Sequence, residues 1–303
     1  MVRGAGRGAG ARLGEPRRRS GGARQRQDRP ARGGKDRRVR PEYIDLSAGQ
    51  VAVAAGLIAV NAAISLALKL GMERRLAVAA VRTVLQLALI GFVLDWVFAI
   101  RTWPVVLGLA AVMATVAGVA AVRRTERRYA GIWVNALVSM WASSWLIAGV
   151  AVAGVVRIDP WWEPQYAIPL LGMILGNTLN GIALGLDRLT EELVAGRERV
   201  EAMLTLGATR WEAARDPVRA AVRTGMIPII NSMMVVGIVS IPGLMTGQLL
   251  AGVEPLSAVE YQIVIMFLIA SGTALGTVGV VLLGYRRLFN RRHQFLHHAI
   301  ERR

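Results

Sequence analysis

The stretch EAMLTLGATRWEAA, from Glu201 to Ala214, is a charged, glycine-interrupted break between two of the most apolar parts of the chain. Across residues 187–206, leucine and valine recur at helical spacing while arginine and glutamate occupy the opposite side. This pattern predicts one amphipathic helix. Gly207 should end that helix, because glycine adopts the left-handed C-cap conformation at little cost.

A second helix is predicted directly after this glycine. Thr209, followed by Glu212 three residues later, has the spacing of a capping box. Pro217 is expected to end this short helix and begin the next one, because proline removes a hydrogen bond inside a helix. Residues 187–224 are therefore predicted to form a helical segment outside the membrane.

The flanking sequence is apolar enough to cross a membrane. The chain has 303 residues, of which 54% are hydrophobic, and several runs exceed the roughly 18–20 apolar residues that a crossing needs. We predict an all-α, polytopic membrane protein of about seven transmembrane helices, with the 187–224 segment between the fifth and the sixth. The predicted spans are 48–70, 77–98, 103–122, 131–156, 166–186, 226–251 and 259–285.

Positive charge is concentrated at the amino terminus. Residues 1–40 carry +11 of the net charge of +17. Their Gly/Arg-rich composition cannot support a core, so residues 1–46 are predicted to be a disordered basic extension. An RNA- or lipid-binding arm is the alternative, although we expect no nucleic-acid partner.

The loops differ in charge, and this difference predicts orientation. Residues 123–129, 187–224 and 286–294 are rich in arginine, whereas 157–165 and 252–260 are acidic or aromatic. Arginine-rich loops favour the cytoplasm. Seven spans with a cytoplasmic carboxyl terminus place the amino terminus outside, although the basic extension by itself argues for the opposite orientation.

The remaining organisation follows from these spans. Residues 47–290 are predicted to form the transmembrane permease domain, and 291–303 a basic, solvated cytoplasmic tail with three histidines. We expect a multi-pass protein of the plasma (inner) membrane. The absence of cysteine excludes disulfides and thiolate chemistry. Lys35 lacks the spacing of a phosphate-binding loop, so we expect no ATP site, no cofactor and no enzymatic activity in this chain.

Polar residues within the spans are candidates for a translocation path. Asn177 and Asn180 share one helix face, as do Arg82 and Gln86. Hydrogen bonds between helices account for the position of the two asparagines as well as contact with a substrate does. Arg82 lies near the end of its span, where its long side chain can extend its charged group to the membrane surface. Pro242, near the middle of the predicted 226–251 span, should free a backbone carbonyl for protein, water or substrate.

The same region offers weak ligands for a metal or a polar molecule. Met233, Met234 and Met245 carry thioethers, which favour soft metals, but methionine is also common packing filler. The amide and hydroxyl candidates are Asn231, Ser232, Gln248 and Gln262. They suit weak metal ligation and hydrogen bonding to an organic substrate equally well.

Long motifs provide a resemblance to a known family. They are VRTVLQLALIGFVL (81–94), IPLLGMILGNTLNGIALGLDRL (168–189), LGATRWEA (206–213), GMIPIINSMMVVGIVSIPGLMTGQLLAG (225–252), YQIVIMFLI (261–269) and RRHQ (291–294). Together they resemble the Fet-type iron-export ABC transporter permease family, which is related to plant aluminium-tolerance permeases. The Glu-Ala-Met sequence at 201–203, with Gly207, is similar to the loop by which ABC permeases dock onto their ATPase.

The resemblance implies a transport subunit that exports iron with energy from a separate ATPase. That partner would hydrolyse ATP and dock through Glu201, Ala202, Gly207, Thr209 and Glu212. A homodimer in a lipid bilayer is also implied. The alternatives are an ABC permease for a polar organic substrate such as a nucleotide sugar, and an ion-coupled secondary transporter, against which the scarcity of intramembrane carboxylates argues.

Overall fold

The computed structural model describes residues 47–290 and 292–302, so the predicted extension 1–46 lies outside the described residues. Within these ranges the chain forms nine α-helices and one small two-stranded sheet. A π-helical segment, Val150–Val155, continues the fourth helix. The helices are α1 (Ala48–Ala67), α2 (Glu73–Ile100), α3 (Trp103–Arg123), α4 (Ile132–Gly149), α5 (Pro164–Ala195), α6 (Arg197–Thr205), α7 (Arg210–Val235), α8 (Gly243–Leu250) and α9 (Pro255–Leu288).

Six of the described helices are long and apolar enough to cross a membrane. They are α1, α2, α3, α4 with its π-helical continuation, α5 and α9. The predicted all-α, polytopic fold is therefore confirmed. The sheet is a minor addition of three residues per strand, in which β1 (Arg127–Tyr129) pairs antiparallel with β2 (Ile300–Arg302).

The central bundle consists of α3, α4, α5, α7 and α9, and glycines let α5, α7 and α9 approach closely. A Cβ at Gly225 would lie 2.7 Å from the carbonyl oxygen of Gly181 and 2.5 Å from the methyl of Thr277. Gly185 faces the same threonine methyl. Where α5, α7 and α9 cross, the helices thus pack closely through small residues and not through interdigitated large side chains.

Helices α1 and α2 lie against each other and make little contact with the central bundle. Val97 is the buried residue of α2, and it packs against Val106 and Ile168 at the end of the bundle where α3 and α5 begin. Towards the other end α2 is exposed. An open cleft therefore lies between the amino-terminal half of α2 on one side and α3 and α5 on the other.

The predicted 226–251 span is not one helix. The chain leaves α7 at Val236, turns through Gly237 at a φ of +82°, and re-enters a helix only after Pro242, the N-cap of α8. Helix α7 ends at Val235, before Pro242 is reached, so the proline does not itself end that helix. Pro242 therefore begins a helix instead of kinking one, contrary to the prediction.

Two boundaries of the 187–224 segment also differ from the prediction. Helix α5 continues past the expected membrane boundary to Ala195, and Gly196 separates it from α6, so 187–206 is not a single helix. Pro217 lies inside α7, which continues through it to Val235. One missing hydrogen bond is tolerated there because α7 is buried in the bundle both before the proline, at Ala213 and Ala214, and after it, at Val218 and Ala221.

The carboxyl-terminal tail folds back onto the bundle, so the expectation of a solvated tail is wrong. Phe295 is buried and stacks on Phe289, with ring centroids 5.2 Å apart. After a 3₁₀ turn at His297–Ala299, β2 pairs with β1. Burial raises the pKa of Tyr129, the last residue of β1, to about 12, and the hydroxyl of Tyr129 accepts a hydrogen bond from Asn135.

Candidate coupling surface and translocation cleft

Residues 197–216 form a helical protrusion, here called the knob, that consists of α6, a glycine turn and the first turns of α7. Gly207 has a φ of +91°, and the N–H of Ala208 donates to the carbonyl of Met203 at 3.0 Å. These features satisfy the last carbonyls of α6. The predicted end of the helix at Gly207 is confirmed.

The second helix begins with the predicted capping box. The N–H of Thr209 donates to Glu212 Oε2 at 2.7 Å, and the N–H of Glu212 donates to Thr209 Oγ1 at 3.3 Å. The hydrogen bond from the Thr209 backbone, followed by that from its hydroxyl, lowers the pKa of Glu212. Both side chains are thus engaged in holding the start of α7.

Ion pairs tie the charged surface of the knob together. Arg197 Nε donates to Glu201 Oε1 at 2.8 Å, and His297 Nδ1 lies 3.7 Å from the same oxygen. Arg199 forms an ion pair with Asp216, which links α6 to α7. The carboxylate of Glu201 is therefore already paired within the chain.

The tip of the knob exposes apolar surface. Leu206 is 88% exposed, and Ala202, one turn earlier, is also exposed. We did not predict Leu206 as a site residue. The signal in the sequence is its place directly before the C-cap glycine, where the side chain cannot reach the α5 side of the knob. A large exposed leucine outside the spans is the kind of anchor that a partner groove buries.

The base of the knob is fixed by the bundle and by the tail. Val200, Ala213 and Ala214 are buried in the main core. From the tail, His293 Nδ1 accepts a hydrogen bond of 2.9 Å from the backbone N–H of Arg210. The neighbouring Trp211 meets Tyr285 of α9 edge to face, with centroids 5.4 Å apart. The knob is therefore held against α9 and the tail.

Near the knob, a cleft of about 640 Å³ opens between α2, α3 and α5. The predicted pair Arg82 and Gln86 lines it from α2, and Arg123 and Arg124 line it from the end of α3. Arg124 Nη1 donates to Asn180 Oδ1 at 2.6 Å. The structure thus brings three of the predicted path residues into one region, and none of the described residues that line the cleft is acidic.

The other predicted path residues lie elsewhere. Asn177 donates to the carbonyl of Met173 in its own helix at 3.0 Å, so it does not share a partner with Asn180. Asn231 and Ser232 are exposed near the end of α7, and Ser232 donates to the carbonyl of Pro228. Gln248 on α8 and the buried Gln262 on α9 each keep an amide oxygen without a partner among the described residues.

The methionine candidates do not form a buried site. Met234 is 72% exposed at the end of α7, while Met233 and Met245 are partly exposed. Across residues 47–290 and 292–302, no three side chains of His, Cys, Asp or Glu come together in a way that would hold a metal ion.

Comparison with known proteins identifies relatives along nearly the whole described chain. Residues 48–289 match the model of a family described as Uncharacterised protein family (UPF0014). The chain is 43% identical to the UPF0014 membrane protein slr1647 of Synechocystis over 216 residues, which cover 71% of this chain and 83% of that relative. No solved structure matches.

Two further relatives extend the comparison, and the name of the first bears on function. The Probable iron export permease protein FetB of Escherichia coli is 29% identical over 81% of this chain and 93% of its own length. The UPF0014 membrane protein STAR2 of rice is 32% identical over 74% of this chain and 78% of its own length. With the match over 48–289 and the six apolar helices, the chain belongs to the UPF0014 family of multi-pass membrane proteins.

Proposed function

We propose that this protein is the membrane permease subunit of an ABC transporter and that the knob docks into a separate ATPase. The relative named as a probable iron export permease supports the transport role. The arginine-rich segments gather at one end of the bundle, where the backbone N–H of Glu126 donates to Asp187 Oδ1 and β1 pairs with β2. The positive-inside rule then favours a cytoplasmic knob. A homodimer in the plasma membrane would present two such knobs.

The observation that carries this proposal is the exposed leucine on a braced helical turn. Leu206 is held at the tip by the Gly207 turn, and ion pairs and buried alanines fix the base. A segment that only connected two membrane spans would not need a large apolar side chain exposed to solvent. A partner groove would bury this side chain and gain the associated free energy.

Co-purification with an ABC ATPase subunit from the same organism tests the proposal. We expect Leu206→Glu to weaken the complex at least about tenfold, because a buried anchor is replaced by a charge. The matched control is Leu70→Glu, in the α1–α2 turn, where the leucine is 56% exposed. Equal ATPase binding by both variants would overturn the docking role. ATP-independent counterflow by the permease alone in liposomes would favour a secondary transporter.

For the substrate, we propose iron leaving the cytoplasm, on the strength of the relative named as an iron export permease. In that case the ligands would be neutral oxygens and thioethers, or would come from both copies of a dimer. Inverted vesicles that contain permease and ATPase should accumulate iron only when ATP is added. Accumulation without ATP would contradict the proposal.

A polar organic anion, such as a nucleotide sugar, is the second candidate, and the cleft favours it. Arg82 places positive charge in the cleft from α2, and Arg124, which donates to the amide oxygen of Asn180, does so from the end of α3. This arrangement attracts phosphates and repels a bare metal cation. In the same vesicles, Arg82→Gln should lower uptake of an anionic substrate severalfold, whereas uptake of free iron should not fall.

A further inference from the structure

A groove between α4 and α9 has the dimensions of one membrane leaflet. It encloses about 340 Å³ and is lined by Val138, Ser139 and Leu146 of α4 and by Leu275, Gly279 and Arg286 of α9. From Leu275 to Arg286 the helix rises about 16 Å, at 1.5 Å per residue. Half of a typical hydrocarbon core is about 15 Å thick.

The groove is apolar along its length and cationic at one end. Its rim residues Val138, Leu146 and Leu275 are exposed. Arg286 is exposed at the carboxyl end of α9, where the arginine-rich segments gather. On the neighbouring strand, Arg128 stacks over Trp133 with 5.3 Å from the guanidinium carbon to the ring centroid. Tryptophan and arginine side by side are typical of the headgroup level of a membrane.

The floor of the groove offers a polar group without a partner. Ser139 is 5% exposed, and its hydroxyl has no hydrogen-bond partner among the described residues. Gly279 lies opposite, and a Cβ there would come within 3.3 Å of that hydroxyl. The glycine therefore leaves room for the buried hydroxyl at the floor of the groove.

We infer that this groove binds an anionic glycerophospholipid from the leaflet at the arginine-rich end. The guanidinium of Arg286 pairs with the lipid phosphate, and an acyl chain lies along the apolar wall. The inference rests on the membrane fold and on the groove, and it does not depend on an ATPase or on the identity of the substrate.

Native mass spectrometry of the purified full chain tests the site. The protein is titrated with dioleoyl phosphatidylglycerol or with dioleoyl phosphatidylcholine, which share acyl chains and differ in charge. We expect preferential retention of phosphatidylglycerol. Arg286→Gln should reduce that retention about fivefold, the effect of one arginine at an anionic surface, and leave phosphatidylcholine unchanged. Leu275→Trp, which fills the groove from its exposed rim, should reduce both.

The matched control is Arg292→Gln, which removes an exposed arginine at the same end but outside the groove. An equal loss of lipid in Arg286→Gln and Arg292→Gln would show general attraction to charge and overturn the site. So would equal retention of the two lipids by the unaltered protein. Displacement by glycerophosphoglycerol, a headgroup without acyl chains, at the same concentration as intact lipid would also overturn it.

Discussion

Gly207 shows how a single backbone conformation shapes the knob. No neighbouring atom lies within 4 Å of the position where a Cβ would be, so space does not require glycine there. Glycine is required by the φ of +91°, because residues that carry a side chain seldom adopt this angle. The turn directs Leu206 outward and lets Thr209 begin the next helix.

Substitution at this turn should therefore act through the backbone. We expect Gly207→Ala to lower the free energy of unfolding by about 1–2 kcal/mol, measured by reversible denaturation in detergent. Gly176→Ala is the control, since Gly176 lies in α5 with open space around it, and alanine in a helix interior should be neutral or stabilising. Equal destabilisation by both variants would contradict this explanation.

At the scale of elements, the tail is part of the structure that supports the knob. Phe295 inserts beside Phe289 of α9, His293 accepts from the backbone of Arg210, and β2 covers β1. The α3–α4 connection, the knob and the end of α9 are thus joined by one short segment. This segment is far from the knob in sequence but adjacent to it in the fold.

Removal of the buried ring should release this segment. Phe295→Ala, a truncation that typically costs about 3–5 kcal/mol in a core, should accelerate amide hydrogen exchange at Arg127–Tyr129 and at Arg210. His298→Ala, at an exposed position in the same segment, serves as the control and should leave exchange unchanged. Unchanged protection in the Phe295 variant would mean that the tail does not brace the knob.

At the scale of the molecule, the central bundle is packed through glycines and hydroxyl-bearing residues, while α1 and α2 lie at its side. Gly225 of α7 meets the backbone of Gly181 on α5 and the side chain of Thr277 on α9. Backbone cannot move aside as a flexible side chain can. This crossing therefore sets the spacing of three helices at once.

A single methyl at this crossing should destabilise the whole bundle. We expect Gly225→Ala to lower the free energy of unfolding by about 1–3 kcal/mol through overpacking, measured by reversible denaturation in detergent. Gly108→Ala on α3, where a Cβ meets no atom within 4 Å, is the control and should not destabilise. A neutral Gly225 variant would show that the three helices can separate without cost.

The sequence by itself determined the features that depend on near neighbours in the chain. Apolar runs predicted the membrane helices, Gly207 predicted the end of α6, and Thr209 with Glu212 predicted the start of α7, because helix periods and caps act over a few residues. It did not predict the break in 226–251, since apolar composition alone does not distinguish a continuous helix from a turn.

Only the tertiary structure decided which distant residues meet. It placed Arg82 beside Arg123 and Arg124, paired Arg124 with Asn180, and folded the tail beneath the knob. It also left Asn177 bonded to its own helix and Met234 exposed. These outcomes depend on how whole helices pack, and packing is settled by shape and contact between segments that are far apart in the chain.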